Sequence, residues 1–318
     1  MVKGTITFGP VPSRRLGRSL GINNIPPKVC TYSCVYCQIG RTLIMQVEQE
    51  AFYKKEKILQ DVANKIKEVK KRGEIIDYLS FVPDGEPTLD INLGQEIKLL
   101  KPLGIKIAVI SNASLAWRKD IEDNLQKTDW VSLKIDAVTE GMWRKVNRPY
   151  RTLKLDKILQ GILEFSRTFK GELTTETMLI NNINDTSEEI QKIADFIAEL
   201  KPEKSYIAIP IRPPAEKWAK PATEDIINMA YQIFIDKSIR TEYLIGYEGD
   251  AFASTGNVED DLLSITSVHP MREEAVKNFL QNAGTNWKTI ERLKNEDKLV
   301  EIEFKEHKFY LGKLTRKA

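Results

Sequence analysis

A partial (β/α) barrel of the α/β class is the fold this 318-residue sequence predicts, and three observations carry the expectation. Apolar runs of strand length alternate with segments of helical spacing from Leu20 to Ile235. Hydrophobic residues make up 42%, charged residues 29% and aromatics 8%, a balance that lets a globular chain bury a large core and argues against disorder. Polar residues gather where the strands end, the place at which parallel barrels carry their chemistry.

The elements follow in order. Leu20 to Asn23 reads as the first strand, Ile58 to Val69 as a helix and Ile76 to Val82 as the second strand. Asn92 to Leu100 is a short helix before a strand at Ile105 to Ile110; Trp117 to Leu125 is a helix before a strand at Trp130 to Ile135. Leu155 to Phe169 is a helix before the strand Glu172 to Ile180. Asp185-Thr186-Ser187 then caps the helix Ser187 to Leu200, with Glu188 and Glu189 in its first turn. Ser205 to Ile211 is the sixth strand, Thr223 to Ile235 a helix and Thr241 to Tyr247 a candidate additional strand. The repeat is of (β/α)6 type, and eight-fold closure is not supported.

After Gly256 the pattern changes, which predicts a barrel over residues 1–250 and a second module over 257–318. Asn257-Val258 to Thr266 and Met271 to Leu280 read as helices, and a Thr285-Asn286 cap opens a third from Trp287 to Lys294. Strands Lys298 to Phe304 and Lys308 to Leu314 follow, joined by Lys305-Glu306-His307. This order is that of a winged helix, a fold that often reads DNA through its last helix. Eleven cations against eleven acids from Asn257 to Ala318 give it a poor electrostatic footprint for nucleic acid. A packing, substrate or partner module is the favoured reading. The excess of +3 over the whole chain likewise gives no argument for nucleic acid. No apolar run approaches a membrane span and Met1 to Thr5 lacks the apolar stretch of a secretory signal, so a cytoplasmic protein with no membrane partner is expected.

All three cysteines lie in one stretch, KVCTYSCVYCQ, from Lys28 to Gln38. An odd number in a reducing compartment disfavours disulfides. Zinc in a structural site wants four ligands, yet the only histidines, His269 and His307, are far downstream and read as structural or solvated. Thiolates are the soft ligands of iron–sulfur clusters, and three of them can hold three irons of a cubane while the fourth stays open. Buried structural cysteines are the plainer alternative, made poor by this close, uneven spacing in a loop with tyrosines.

The pattern Cys30-x-x-x-Cys34-x-x-Cys37, with Tyr36 before the last cysteine, resembles the signature loop of the radical S-adenosylmethionine (SAM) superfamily. The resemblance implies a [4Fe-4S] cluster on Cys30, Cys34 and Cys37, whose open iron takes the amino and carboxylate groups of SAM. Gly85-Glu86-Pro87 resembles the family's GGE-type motif, which contacts the SAM amino group, although Asp84 stands where a glycine is commoner. Asn112 and Asp136 are then candidates for ribose or carboxylate and Glu176 for ribose; Lys134 is a candidate for SAM or substrate, or a plainly paired lysine. Phe8 to Gly17, Cys37 to Thr42 and Ile211 to Glu216 are similar to a group of prokaryotic radical SAM proteins related to wyosine-base (tRNA imidazoguanosine) synthetases. Those synthetases carry further cysteines for a second cluster, which this chain lacks, so their tRNA reaction is not carried over.

The mechanism the resemblance implies is reductive cleavage of SAM, driven by ferredoxin or flavodoxin, to methionine and a 5'-deoxyadenosyl radical that takes a hydrogen from the substrate. Between Met1 and Val47 there are six cations and no acid. They either tune an anionic cluster, or form a solvated surface, or, through Arg14, Arg15 and Arg18 together with Arg212, clamp an anionic substrate such as a nucleotide-like one. The competing class is a redox-sensing iron–sulfur regulator that reads DNA through its tail.

Overall fold

The computed structural model describes residues 6–245, 257–268 and 270–313. Strand β1 (Thr7–Ser13) turns into β2 (Gly17–Ile22), and a two-residue pair, β3 (Val29–Cys30) and β4 (Ile44–Met45), brackets the cysteine loop. Helix α1 (Lys55–Lys71) leads to β5 (Tyr78–Phe81), α2 (Leu93–Leu100) to β6 (Lys106–Ser111), and α3 (Lys119–Leu125) to β7 (Trp130–Lys134). Helices α4 (Glu140–Asn147) and α5 (Leu155–Thr168) precede β8 (Glu172–Met178), α6 (Ser187–Leu200) precedes β9 (Lys204–Ala208), and α7 (Glu224–Asp236) precedes β10 (Thr241–Leu244).

These strands form one curled sheet of eight in the order β1-β2-β5-β6-β7-β8-β9-β10. Every neighbour from β2 to β10 is parallel and only β1 pairs antiparallel, as an edge hairpin. The helices cover the outer face because their apolar residues recur at helical spacing: α1 buries Ile58, Val62, Ile66 and Val69, and α6 buries Ile190, Ile193, Ala194, Ile197 and Leu200. The expected cap of α6 is present, with the Thr186 hydroxyl accepting from Glu189 N at 3.3 Å. Among the described residues no helix is long and apolar enough to cross a membrane.

The α/β class and the six expected strands are present; β2 starts three residues earlier than expected at Gly17, β6 is shifted by one residue, and the others are shorter, with β9 stopping at Ala208 ahead of Pro210. The candidate strand at Thr241 is β10, parallel to β9. Besides the two-residue strands at Val29, Ile44 and Met271, the last of which replaces the expected helix start at Met271, two longer elements escaped sequence reading. In β1, Gly9, Pro10 and Pro12 dilute the strand pattern, which an edge strand with a register shift tolerates. Helix α4 is short and shows only Met142, Trp143 and Val146 as apolar signal. His269, Tyr247 and Leu314 lie outside the described residues.

The tail carries the expected three helices, α8 (Val258–Val268), α9 (Glu273–Asn282) and α10 (Lys288–Asn295). A short β11 (Met271–Arg272) joins the hairpin β12 (Leu299–Phe304) and β13 (His307–Gly312) in a sheet of order β11-β13-β12. Its core of Leu262, Ile265, Phe279, Ile290 and Tyr310 is continuous with Phe8 and Val11 of β1. Lys65 of α1 adds an ion pair to Asp261 at 2.9 Å. The tail thus covers the sheet's antiparallel edge, which would otherwise offer unpaired backbone groups.

Phe8 joins the two cores: it is 3% exposed, and its ring lies so close to Gly21 that a Cβ there would meet a ring atom at 2.0 Å. Truncating it with Phe8→Ala is expected to lower the unfolding free energy by about 3–5 kcal/mol. Denaturant midpoints check the magnitude, and limited proteolysis checks that α8 loosens from β1.

Candidate functional site

A cavity of about 330 Å3 fills the curl of the sheet. The cysteine loop, the carboxyl ends of the parallel strands and the β1–β2 hairpin line it. Cys30 ends β3, and its loop is tied down by main-chain bonds on two sides. Ser33 N donates to Asn147 O at 3.1 Å, Val35 N to Val146 O at 3.0 Å and Tyr150 N to Thr31 O at 2.9 Å, while Gln46 N donates to Cys30 O at 3.3 Å. Tyr32 packs edge-on to Trp143 of α4 and accepts its indole N–H at 3.1 Å. The helix that sequence reading missed is therefore what the loop leans on.

The Gly85-Glu86-Pro87 turn after β5 is held from the other side. Glu86 is 1% exposed. Its Oε1 accepts from Thr88 N at 3.1 Å, the Thr88 hydroxyl at 2.7 Å and the Ser111 hydroxyl at 2.8 Å, and its Oε2 accepts from Asn112 N at 2.7 Å. Burial raises its pKa, and those donors oppose the rise. The carboxylate thus welds the ends of β5 and β6, leaving only the turn's main chain to offer a ligand. Gly85 has a structural reason of its own: a Cβ there would meet Val29 O at 1.8 Å, so only glycine lets this turn close against the cysteine loop. Asn112, at the end of β6, directs its Nδ2 to Cys30 Sγ at 3.4 Å and to Thr31 Oγ1 at 2.8 Å.

Asp136, after β7, is 2% exposed. Its Oδ2 accepts from the Tyr36 hydroxyl at 2.5 Å and from Asn147 Nδ2 at 2.7 Å, and its Oδ1 from Met178 N at 2.9 Å. Asn147 Nδ2 also reaches Cys34 Sγ at 3.4 Å. This carboxylate, read from sequence as a ligand contact, is surrounded by donors of the protein itself and clamps the cysteine loop. Lys134 lies 2.8 Å from Glu176 Oε1, 3.8 Å from Asp136 and 4.9 Å from the Tyr36 ring centre. Arg15 reaches across from the hairpin to the other oxygen of Glu176. Burial works against the Glu176 charge, but Lys134 and Arg15 overcome it and hold the carboxyl at about 2. The stability this pairing adds is therefore present above the ordinary 4.5 of the carboxyl and lost as pH falls toward 2. Burial also disfavours the Lys134 charge, and Asp136 and Glu176 raise its pKa regardless.

Of the four arginines expected at a substrate, Arg14, Arg15 and Arg212 line the cavity. Arg14 bonds Tyr243 O at 3.4 Å, and Arg212 bonds Gln38 Oε1 at 3.2 Å. Arg18 does not join them. It is the second residue of β2, at the end of the strand far from the cysteine loop, where it pairs with Glu74 and its main-chain N–H donates to Asp77 at 2.7 Å. Asp84 is more than the atypical residue of a motif: it is 2% exposed, lines the cavity and leaves Oδ1 without a hydrogen-bond partner. Burial pushes its carboxyl up to about 8, with Lys28 opposing. Asn147 carried no signal in the sequence, because its place depends on α4.

The thiols suit a metal cluster. None is in a disulfide and all three line the one cavity. Burial pushes Cys34 up to about 12, with Asp136 and Cys37 adding to the rise, and burial raises Cys30 and Cys37 as well. Thiolates at this depth need positive charge beside them, which bound metal supplies. Among the described residues no His, Asp or Glu joins the three cysteines in a group disposed round a single ion. In a cubane each cysteine serves a different iron.

A sequence profile of the Radical SAM superfamily matches residues 24–197, which include all three cysteines and the strand ends from β5 to β8. A UPF0026 protein of Methanocaldococcus jannaschii is 48% identical over 310 residues, covering 96% of this chain and 96% of that protein. Among solved structures, TYW1 with a lysine-pyruvate adduct bound superposes with a TM-score of 0.55 at 16% identity, over 69% of this chain and 73% of that one. The structure of native anSMEcpe with bound AdoMet gives a TM-score of 0.51 at 16% identity, over 78% of this chain and 65% of that one. Both show the same curled α/β sheet.

Removing the clamp with Asp136→Ala strands buried donors on Tyr36, Asn147 and Met178, at about 1–3 kcal/mol for each lost partner. A lower melting temperature and a poorer iron content after reconstitution are expected, read by calorimetry and iron assay. Asp84 has a raised folded pKa, so the metal-free protein is expected to lose stability as pH climbs from about 4 to about 8. In Asp84→Asn that loss should shrink, leaving the variant about 1–3 kcal/mol more stable at the alkaline end, as urea titrations across the pH range would show.

Proposed function

The chain belongs to the radical SAM superfamily, whose enzymes use a [4Fe-4S] cluster and SAM, and from that premise we propose that it cleaves SAM reductively to act on an anionic substrate. The observation that carries this reading is the shared cavity wall of Cys30, Cys34 and Cys37, with the amides of half-buried Asn112 and buried Asn147 directed at two of the sulfurs. N–H donors of this kind favour the charged form of a sulfur and help set a cluster's potential. Held by Cys30, Cys34 and Cys37, a reduced [4Fe-4S] cluster would supply the electron for cleaving the sulfonium bond of SAM.

The chain's own residues bind, orient and exclude water. The main chain of Gly85 and Glu86, which lines the cavity, offers the carbonyl acceptor for the ammonium of SAM, and the Glu86 carboxylate fixes that turn rather than touching the ligand; Pro87 leaves the set, since its carbonyl is taken by Asn24 Nδ2 at 3.1 Å and Asp90 N at 3.2 Å. Asn112 spans the turn and the cysteine loop. Tyr36, held by Asp136, gives the cavity an aromatic wall beside Lys134. Lys134 and Glu176 present a fixed charge pair to the polar groups of SAM. Arg14, Arg15 and Arg212 supply positive charge for a carboxylate or phosphate of the substrate, and Arg18 leaves that set. Apolar residues such as Val82, Ile110 and Ile211 line the remaining wall, which suits a reaction that must exclude water.

Ferredoxin or flavodoxin is the proposed electron donor, and a reducing cytoplasm the proposed setting for the free thiols. We read residues 257–318 as a winged-helix-like packing module, since its apolar core is shared with β1. Its balanced charge gives no support to a DNA reader.

Anaerobic reconstitution with iron and sulfide, followed by SAM and dithionite, tests the reading: the native chain should release 5'-deoxyadenosine. Cys34→Ala should lose both the visible charge-transfer absorbance and that product. A full cubane in the variant, or no nucleoside from a fully loaded native protein, would overturn the assignment.

A further inference from the structure

Lys28 differs from four other cations near the cysteine loop. Arg15 and Lys134 are neutralised by Glu176, and Arg41 and Arg148 by Glu216. Lys28 is half-buried in the cavity wall, and its ammonium meets no carboxylate of the described residues within ion-pair distance. Asp84 acts on it through space without pairing with it.

The backbone shows that this side chain is held at a cost. Lys28 stands at a φ of 61°, the left-handed region that a straight-chain residue rarely takes. Three main-chain bonds fix it there: its N–H donates to Asp84 O at 2.6 Å, and its carbonyl accepts from Leu43 N at 3.0 Å and Ile44 N at 3.1 Å. The residue thereby joins the turn after β5 to both ends of the cysteine loop. A glycine would take this conformation without strain, so what a lysine adds here is its side chain. That side chain has a defined place. A Cβ on Gly40 would stand 3.3 Å from Lys28 Nζ, and Gly40, at a φ of 83°, closes the turn that Cys37 opens, its N–H donating to Cys37 O at 3.1 Å. The ammonium therefore rests against the Cys37 turn, and burial's upward push on that thiol is opposed by Lys134 and Lys28. The other two sulfurs each receive a side-chain amide, from Asn112 at Cys30 and from Asn147 at Cys34. At Cys37 a side-chain cation stands instead.

We propose that Lys28 raises the reduction potential of the cluster on Cys30, Cys34 and Cys37 by its charge alone, a role that rests on the cluster reading above. A cubane on three thiolates is anionic, and the electron it takes up makes it more negative. Burial disfavours that added charge. A fixed cation at one corner favours it, and does so most where no carboxylate cancels the cation. Lys28 thus offsets at Cys37 what the depth of the cavity imposes.

The test is an anaerobic redox titration of the full-length reconstituted protein without SAM, followed by electron paramagnetic resonance. Lys28→Asn and Lys28→Gly remove the charge and suit the left-handed backbone, and Lys28→Arg keeps the charge. Both neutral variants should take up native amounts of iron. Their midpoint potentials should fall by the equivalent of an about three- to tenfold change in the reduced-to-oxidised ratio, tenfold being 59 mV for one electron. Lys28→Arg should stay near the native potential. Neutral variants with full iron and a native potential would overturn the proposal. So would an equal fall in Lys28→Arg, which would place the effect in the backbone, or failure of both neutral variants to load iron, which would make Lys28 structural. An unchanged potential with weakened SAM binding, measured by calorimetric titration, would give the lysine to the ligand's carboxylate instead. A native chain that takes up no cubane would sink the cluster reading and the role of Lys28 with it, so iron content tells the two failures apart.

Discussion

Three sulfurs that must face one volume have to be held there by groups other than themselves. In this chain the restraint is a set of buried hydrogen bonds converging on the cysteine loop from the ends of different strands. Glu86 ties the turn after β5 to the end of β6, Asn112 carries that tie to Cys30 and Thr31, and Asp136 gathers Tyr36 and Asn147 from the opposite side. Each carboxylate is nearly fully buried and each is met by several donors, the condition under which a buried charge is tolerated. These bonds hold the cysteine loop through groups of the protein itself.

The same economy of parts shapes the cavity behind the loop. Arg15 arrives from the hairpin, Glu176 from β8 and Lys134 from β7, and the three make a chain of alternating charge across the curl. An antiparallel hairpin in place of a further β/α unit is what brings Arg15 inside, since the turn after β1 folds back over the open side of the sheet. That choice leaves an edge, and the tail covers it. The apolar core shared by Phe8, Val11 and the three tail helices accounts for a module that carries balanced charge. Asp84 stands apart in this scheme: a buried carboxylate with one oxygen unmet, in the wall of a cavity, is held at a cost in stability.

Much of this was legible in the sequence, and for definite reasons. Helical spacing in Ile58 to Val69 and the short apolar run from Ile76 to Val82, of which Tyr78–Phe81 is strand, report burial on one face or two, which is a local property of the chain. The three cysteines were legible because their chemistry is rare and their spacing short. Pairings across long separations were not. Asp136 and Glu176 read as free ligand contacts because nothing local to them shows that Tyr36, Asn147 and Arg15 arrive from 100, 11 and 161 residues away. Arg18 read as a partner of Arg15 because they are near in sequence, yet at the start of β2 it pairs with Glu74 and Asp77 while Arg15 reaches Glu176.

The amino-acid order by itself determined the α/β class, the alternation of elements and the thiol loop, because each depends on neighbours within a turn or a strand. Only the tertiary structure decided which polar groups face the cavity and which are used up in holding it. That division is set by where strand ends converge and which donors reach each carboxylate, and a sheet's order and curl exist only once distant strands have paired.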